Sequence, residues 1–391
     1  MTIMPRVLPT LCGLLLSAIS TLPVHADGAS LMQVGSPNDR VTGVSGDGET
    51  LVGYGSSAFV WTESGGIVPV PGVERFYDLS ADGSTAVGFQ EADQAGITIP
   101  APVRWTAAGG IEPLGTLGGS SGFALGVSGD GSVVVGRSED ASGATHAFRW
   151  TVPDGMQALP DVSVPYPGGI AYGVSSDGTR SVGFVTDESS NTIPVYWDGD
   201  GASGPQILPT FPGGPTPPVR DPVDGFRPFG SAYDVSSDGT YIVGTVLSST
   251  DATMFRWSEA TGSVEIPNLP GSDVYTARIS GDGQTLVGSD GLGTLIWTEE
   301  TGSLDLKLVL ETLGVDTTGW YLETAEDISD DGLTIVGWSV DSFLVGANVG
   351  SWRVTLPADW TTQVLPEPGT GVLLSLGLAL LVLPRRATTS R

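Results

Sequence analysis

The stretch Val127–Thr151, VSGDGSVVVGRSEDASGATHAFRWT, decides the fold of this 391-residue chain. A valine and Ser128 lead into Asp130-Gly131, three valines follow in a row, and Gly136 closes the segment. Asp-Gly suits the positive φ angles of a tight or bulged hairpin turn, and a serine hydroxyl just ahead of it can cap the turn. After the polar run 137–145, Ala147-Phe148-Arg149-Trp150-Thr151 alternates and carries two aromatics, which predicts a third strand.

The same unit recurs along the chain. Turn aspartates stand at Asp47, Asp82, Asp130, Asp177, Asp238, Asp282 and Asp331, each followed by glycine and preceded two residues earlier by serine. Six positions after each comes a glycine: Gly53, Gly88, Gly136, Gly183, Gly244, Gly288 and Gly337. Each copy then reaches a tryptophan, at Trp61, Trp105, Trp150, Trp197, Trp257, Trp297 and Trp352. A second turn follows, such as Glu63-Ser64-Gly65-Gly66, and then a short fourth strand such as Ile111–Leu114. Four strands at a period of about 47 residues predict the blades of an all-β, seven-bladed β-propeller built from four-stranded antiparallel sheets.

The ends of the repeat array predict how the ring closes. The seventh copy passes from Trp352-Arg353-Val354-Thr355 into Pro357 with no fourth strand, whereas Ser30–Val34 is a strand with no blade of its own. Pairing Ser30–Val34 beside the Trp352 strand removes two open edges together. The Asp-to-Gly spacing is constant, but the glycine-to-tryptophan distance runs from 8 to 17 residues, and the longest insertion lies near Pro205–Gly230. In a meander blade both variable connections emerge on one face, where a binding surface is built. That face carries Glu91, Asp93, Glu139, Asp140, Asp187, Glu188, Asp251, Asp290 and Asp341 with Phe211, Phe226 and Phe229, so it is expected to be acidic and partly aromatic. Trp320, Tyr321 and Trp338 lie outside the register of the repeat tryptophans and join Glu139, Asp140, Asp187 and Glu188 as the candidate ligand face.

Composition sets limits on partners. The chain has 44 acidic and 16 basic residues, a formal charge of −28, which argues against nucleic acid and anionic lipid surfaces. Its 57 glycines and 28 prolines fit many short strands and turns. The N-terminus has Arg6, an apolar stretch Leu11–Ile19 and Val24-His25-Ala26 before Asp27, the pattern of a secretory signal cleaved between Ala26 and Asp27. Cys12, the sole cysteine, lies inside that apolar stretch after Leu11, where a lipoprotein signal needs a small residue, so the exported chain is expected to lack disulfides and thiol chemistry. Residues 27–368 hold 12 basic and all 44 acidic residues, a net of −32.

The C-terminus reads Pro366-Glu367-Pro368-Gly369, an apolar run 371–383, then Arg385-Arg386. This tripartite pattern resembles the PEP-CTERM sorting signal. The resemblance implies a transient anchor in the inner membrane, recognised and processed by an exosortase in Gram-negative bacteria that secrete exopolysaccharide. The alternative, a permanent tail anchor, meets a difficulty: about 13 apolar residues fall short of the roughly 20 that a spanning helix needs. The expected organisation is a signal peptide over 1–26, a propeller over 27–357, a linker over 358–365 and the sorting signal over 366–391.

The His146-Ala147-Phe148 triplet, the tryptophan after it and Leu114-Gly115-Thr116-Leu117-Gly118-Gly119 resemble the HAF family of extracellular repeats. Most of residues 30–357 share the pattern, though other copies read Ala58-Phe59-Val60, Pro102-Val103-Arg104 or Met254-Phe255-Arg256. The Ser-x-Asp-Gly hairpin also resembles those of TolB-type and WD-type propellers. None of these resemblances implies a defined catalytic activity.

No motif selects an active site. Gly118-Gly119-Ser120-Ser121-Gly122 has the spacing of a nucleophile elbow, but that motif needs a strand before the serine and a helix after it, and here a loop between two strands is expected. His146 belongs to the repeat. Calcium is the one cofactor that tight acidic turns admit, yet a single carboxylate per turn is too few. Asp327, Asp330 and Asp331 form the densest cluster, ahead of Asp198 and Asp200. Paired carboxylates could hydrolyse glycosides, but no spacing selects a pair. The residues therefore favour a non-enzymatic, exported binding or structural module at the cell surface or in the extracellular matrix, partnered by exopolysaccharide or envelope proteins. The alternatives are a secreted carbohydrate-active enzyme, either glycosidase or lyase, and a calcium-stabilised adhesin.

Overall fold

The computed structural model describes residues 28–94, 96–162, 168–187, 191–209, 229–247, 252–290, 293–339 and 350–365. The stretches expected as signal peptide and sorting signal lie outside them, as do Glu188, Phe211, Phe226, Asp251 and Asp341. Seven four-stranded antiparallel sheets follow one another around an axis as the blades of a propeller. In each of the first six blades the four strands are consecutive in sequence. The seventh takes three strands from the C-terminal end, Thr324–Ile328, Thr334–Ser339 and Gly350–Thr355, and its fourth from Ser30–Val34. Gln33 stands opposite Trp352 and Val34 opposite Ser351, so the ring closes at the strand left over at the N-terminus.

Each repeat residue has a local physical task. In the first turn the Ser45 hydroxyl donates to Asp47 at 2.6 Å and accepts from the Thr50 amide at 3.0 Å, while Asp47 accepts the Glu49 amide. Bonds from Ser45 and Glu49 hold the Asp47 carboxyl below its ordinary value. Gly48 sits at φ +74°, a region that costs a side-chain-bearing residue strain. Ser128, Asp130 and Val133 repeat the arrangement, as do Ser329, Asp331 and Thr334. These turn aspartates are therefore caps.

The glycine six residues on answers to the neighbouring strand. In six blades the first strand bulges just before its turn, for example between Ala171 and Gly173. A Cβ on Gly183 would fall onto the carbonyl of Ile170, and one on Gly88 onto that of Arg75. Only a residue without a side chain fits opposite such a bulge. Blade six is one residue shorter between Ala277 and Ser280 and pairs without a register shift. There the corresponding carbonyl, of Thr276, would be 2.9 Å from a Cβ on Gly288.

The hydrophobic core is divided among the seven blade interfaces. Val182 and Leu208 of blade four, for instance, pack with Ala232, Ile242, Phe255 and Trp257 of blade five. Val34 and Val336 of blade seven pack with Leu51, Phe59 and Trp61 of blade one. Trp197 and Trp352 are fully buried, so the repeat tryptophans are packing residues. Arginines add a second fastening at the outer edge. Arg149, Arg180, Arg256 and Arg353 each donate to the turn-glycine carbonyl of the next blade, at Gly178, Gly239, Gly283 and Gly48.

Two short helices cover the interface between blades six and seven. Helix α1, Leu306–Thr312, is capped by Asp305, whose carboxylate accepts the amides of Lys307 and Leu308. Helix α2, Trp360–Val364, falls within the stretch expected as a linker and packs its buried Trp360 into the cluster formed by Leu306, Val309 and Leu310.

Gly118–Gly122, expected as a loop, instead opens the strand Gly118–Val127, which pairs with Val133–Asp140. The long second strand of blade three continues the pairing outward and absorbs it. Ser120 donates its hydroxyl to Glu139, and no helix follows, so the elbow geometry is absent.

Candidate functional site at the axial channel

Because the first strand of every blade faces the axis, the residue two positions before each turn serine lines a central channel. Around the ring these are Gly43, Asp78, Gly126, Gly173, Asp234, Arg278 and Asp327. The three aspartates share one arrangement. Asp78 accepts the amides of Leu79 at 2.7 Å and of Val127, on the next blade, at 2.9 Å. Asp234 accepts Val235 and Ile279, and Asp327 accepts Ile328 and Val44, the last bond crossing the closure of the ring. Three carboxylates thus satisfy six of the seven equivalent amides. The seventh, of Val174, lies between Gly126 and Gly173, neither of which offers a side-chain acceptor.

The electrostatics of this ring are set first by burial and then by crowding of like charge. Burial and the neighbouring Asp234 push Asp78 from 3.8 to about 7, although its amide bonds oppose the rise. Burial and the other two aspartates push Asp327 well above its ordinary value, and burial raises Asp234 and Glu326. Arg278 is the single cation of the ring. Burial alone would lower its pKa, but Asp234, Glu326, Asp327 and Asp78 outweigh that and raise it. All of these side chains keep partial contact with channel solvent.

Asp78, Asp234 and Asp327 line a chamber of about 90 Å³ that is bounded on its other side by the turns. The second residues of the turns form a belt of main-chain hydrogen bonds. Gly129 donates to Ser176, Ser176 to Ser237, Ser237 to Gly281 and Asp330 to Gly46. The Ser237 hydroxyl also donates to the Asp330 carboxylate at 2.9 Å, bridging blades five and seven across blade six.

At the opposite end, where the first strands begin, arginines and aromatic rings meet. The Arg75 guanidinium lies 3.8 Å from the Tyr54 ring centre and 5.5 Å from that of Tyr77. Arg137 lies 4.5 Å from Phe123, and Arg40 lies 5.0 Å from Trp338. Tyr77, Phe89 and Phe123 pack on one another, Phe89 and Phe123 edge to face at 5.2 Å. Arg40 is tied to the carbonyls of Pro37 and Asp39. Among the described residues neither Arg75 nor Arg137 forms a salt bridge, whereas the outer arginines Arg104, Arg180, Arg256 and Arg353 are all paired with carboxylates.

The residues singled out from sequence as a ligand face separate. Trp338 reaches the channel mouth and donates its indole N–H to Glu326 at 2.6 Å. Trp320 packs against the α1 cluster, and the Tyr321 carbonyl accepts the Ser339 hydroxyl. Glu139 holds Ser120. Asp140 and Asp161 clamp His146 from both sides at 3.2 and 2.9 Å, which ties the outer hairpin of blade three to the connection that follows it. Asp187 accepts from Asn191 across its own hairpin. The acidic clusters also separate: Asp327 faces the channel, Asp330 spans its floor, Asp331 caps a turn, and Asp198 pairs with Arg180 while Asp200 accepts the Ala202 amide.

Apart from Asp327 and Trp338, the channel residues escape a reading of the sequence because they lie inside the repeat, in columns that look like filler. The position after each repeat glycine reads Tyr54, Phe89, Arg137, Phe184, Thr245, Ser289 and Trp338. That column, and the one holding Asp78, Asp234, Arg278 and Asp327, vary sharply between rigid neighbours. Comparing the copies column by column would have exposed both.

No protein-family model matches this chain, and no curated protein matches it in sequence. In fold it is similar to an oligogalacturonate lyase from Vibrio parahaemolyticus, with 9% identity and a TM-score of 0.54 over 85% of this chain and 95% of that one. It also matches TolB from Acinetobacter baumannii, with 15% identity and a TM-score of 0.40 over 71% of this chain and 63% of that one. At these identities the likeness is one of fold.

Proposed function

We propose that this chain is an exported cell-surface or extracellular-matrix protein whose propeller is a non-enzymatic binding module associated with exopolysaccharide. The observation that carries the reading is the channel mouth. In a chain with 44 acidic residues, Arg75 and Arg137 rest on aromatic rings and, among the described residues, form no salt bridge with a carboxylate. Guanidinium groups stacked on aromatic rings, of which Arg75 also hydrogen-bonds the Tyr77 hydroxyl, beside rings able to pack on sugar faces, suit a saccharide bearing charge. Export through the N-terminal signal and handling of the Pro366–Arg386 tail by an exosortase complete the proposal.

The second reading is a secreted carbohydrate-active enzyme. It is favoured by the fold shared with an oligogalacturonate lyase and by the raised pKa values of the channel carboxylates. Against it, Asp78, Asp234 and Asp327 are each committed to two main-chain amides. Incubating the purified propeller with acidic and neutral polysaccharides, while following both retention on the polymer and release of shorter products, separates the two. Retention without product is expected, and sustained product release would replace the module with an enzyme.

A further inference from the structure

We infer that the channel mouth takes the end of a chain of carboxylated sugars, one terminal uronate residue entering the axis. This inference rests on the mouth being the ligand site and adds the class of sugar and the manner of its capture.

Three observations support it. The first is a polarity that runs down the axis. Arg75 and Arg137 stand at the rim, and Asp78, Asp327 and Glu326 lie deeper, with Arg278 among them. A ligand matching this order offers an anion to the rim and hydrogen-bond donors to the floor. A uronate does both, with its ring carboxylate set against guanidinium and its hydroxyls donating to carboxylates. A phosphate or sulfate group without hydroxyls would leave the deeper acids facing an anion.

The second is aromatic surface at the same level. Tyr54, Tyr77 and Phe123 flank the two arginines and are partly exposed, so the apolar face of a sugar ring has a surface to lie on. The third is the floor. The second residues of the seven turns, five of whose steps carry an amide-to-carbonyl bond and a sixth a bond from the Asp82 amide to Gly129, stand about one strand spacing apart in a circle about 11 Å across through their Cα atoms, or about 7 Å once atomic radii are removed. Ala81, Ser176, Ser237 and Asp330 crowd that opening, and the Ser237–Asp330 bond crosses part of it. Water passes such a gap and a substituted pyranose does not. A polymer cannot thread the axis, so what enters from the rim is a terminus.

Titration calorimetry of the whole exported propeller with oligogalacturonates of graded length tests this, with carboxyl-reduced oligomers of the same lengths as the neutral series. One oligomer bound per propeller at every length, an affinity per chain that does not change with length, and at least tenfold weaker binding of the reduced series are expected. An affinity per chain that climbs with length, or several propellers on one long chain, would overturn end capture while leaving the binding module standing. Equal binding of the reduced series would overturn the uronate assignment alone, and no binding to either series would overturn this inference together with the choice of site. The Arg75→Gln and Arg137→Gln variants, checked for an unchanged melting temperature, are each expected to lose tenfold or more in affinity; unchanged affinity in both would move the site away from the rim.

Discussion

Replacing Asp78 by asparagine should make stability depend on pH in a way that reads the axial ring directly. The carboxylate holds two amides, of Leu79 and Val127, whereas asparagine offers one acceptor oxygen and turns an NH₂ toward the other amide. That substitution costs about 1–2 kcal/mol. The opposing effect is charge. Folding raises the Asp78 pKa from 3.8 to about 7, so the fold prefers the protonated acid. The associated stability is fully present below the unfolded value and is lost as pH rises toward the folded one, at about 1.4 kcal/mol per pH unit. The whole interval sets a ceiling of about 4 kcal/mol, which channel water and the shared titration of the three aspartates reduce to about 2. Asp78→Asn should therefore be less stable than the natural chain near pH 4 and equal or more stable above pH 7. Denaturant unfolding followed by tryptophan fluorescence at several pH values measures this, since the repeat tryptophans lie at the blade interfaces. A stability difference that stays constant with pH would refute the picture of a strained acidic ring.

Two further predictions concern the frame. Gly183→Ala should cost more than about 3 kcal/mol, because its Cβ would meet the rigid carbonyl of Ile170, whereas Gly288→Ala should cost less, because its nearest neighbour is the flexible Met254 side chain; equal losses in thermal unfolding would contradict the bulge argument. Deleting Ser30–Val34 removes the fully buried Val34 and the fourth strand of blade seven, a loss of about 3–5 kcal/mol and roughly 4–7 °C in melting temperature, with the exposed Gly350–Thr355 edge promoting aggregation; an unchanged melting temperature and a monodisperse product would refute closure by that strand.

Much of the frame was legible in the chain because a repeat states its own rules several times. Ser45, Asp47, Gly48 and their counterparts act within a few residues of one another, so turn chemistry alone identifies them. Trp61 and its counterparts recur at the end of one strand and must be buried together, and the unmatched strand Ser30–Val34 has a single vacancy to fill. The candidate site was far less legible. Glu139, Asp140 and Asp187 are acidic and lie in variable loops, yet each is engaged by a neighbouring group that sequence spacing does not disclose.

What the sequence determined by itself is periodic and local: the turn caps, the strand count, the number of blades and the spare strand that closes them. What only the tertiary structure decided is which residues meet at the axis. Arg75 and Arg137 are 62 positions apart in the chain, and Asp78 and Asp327 are 249 apart. Ring closure brings them into one channel because every first strand must face the same axis. Their unlike charges, their unequal burial and the arginines that, among the described residues, form no salt bridge are properties of that convergence, to which seven blades contribute and which no single blade contains.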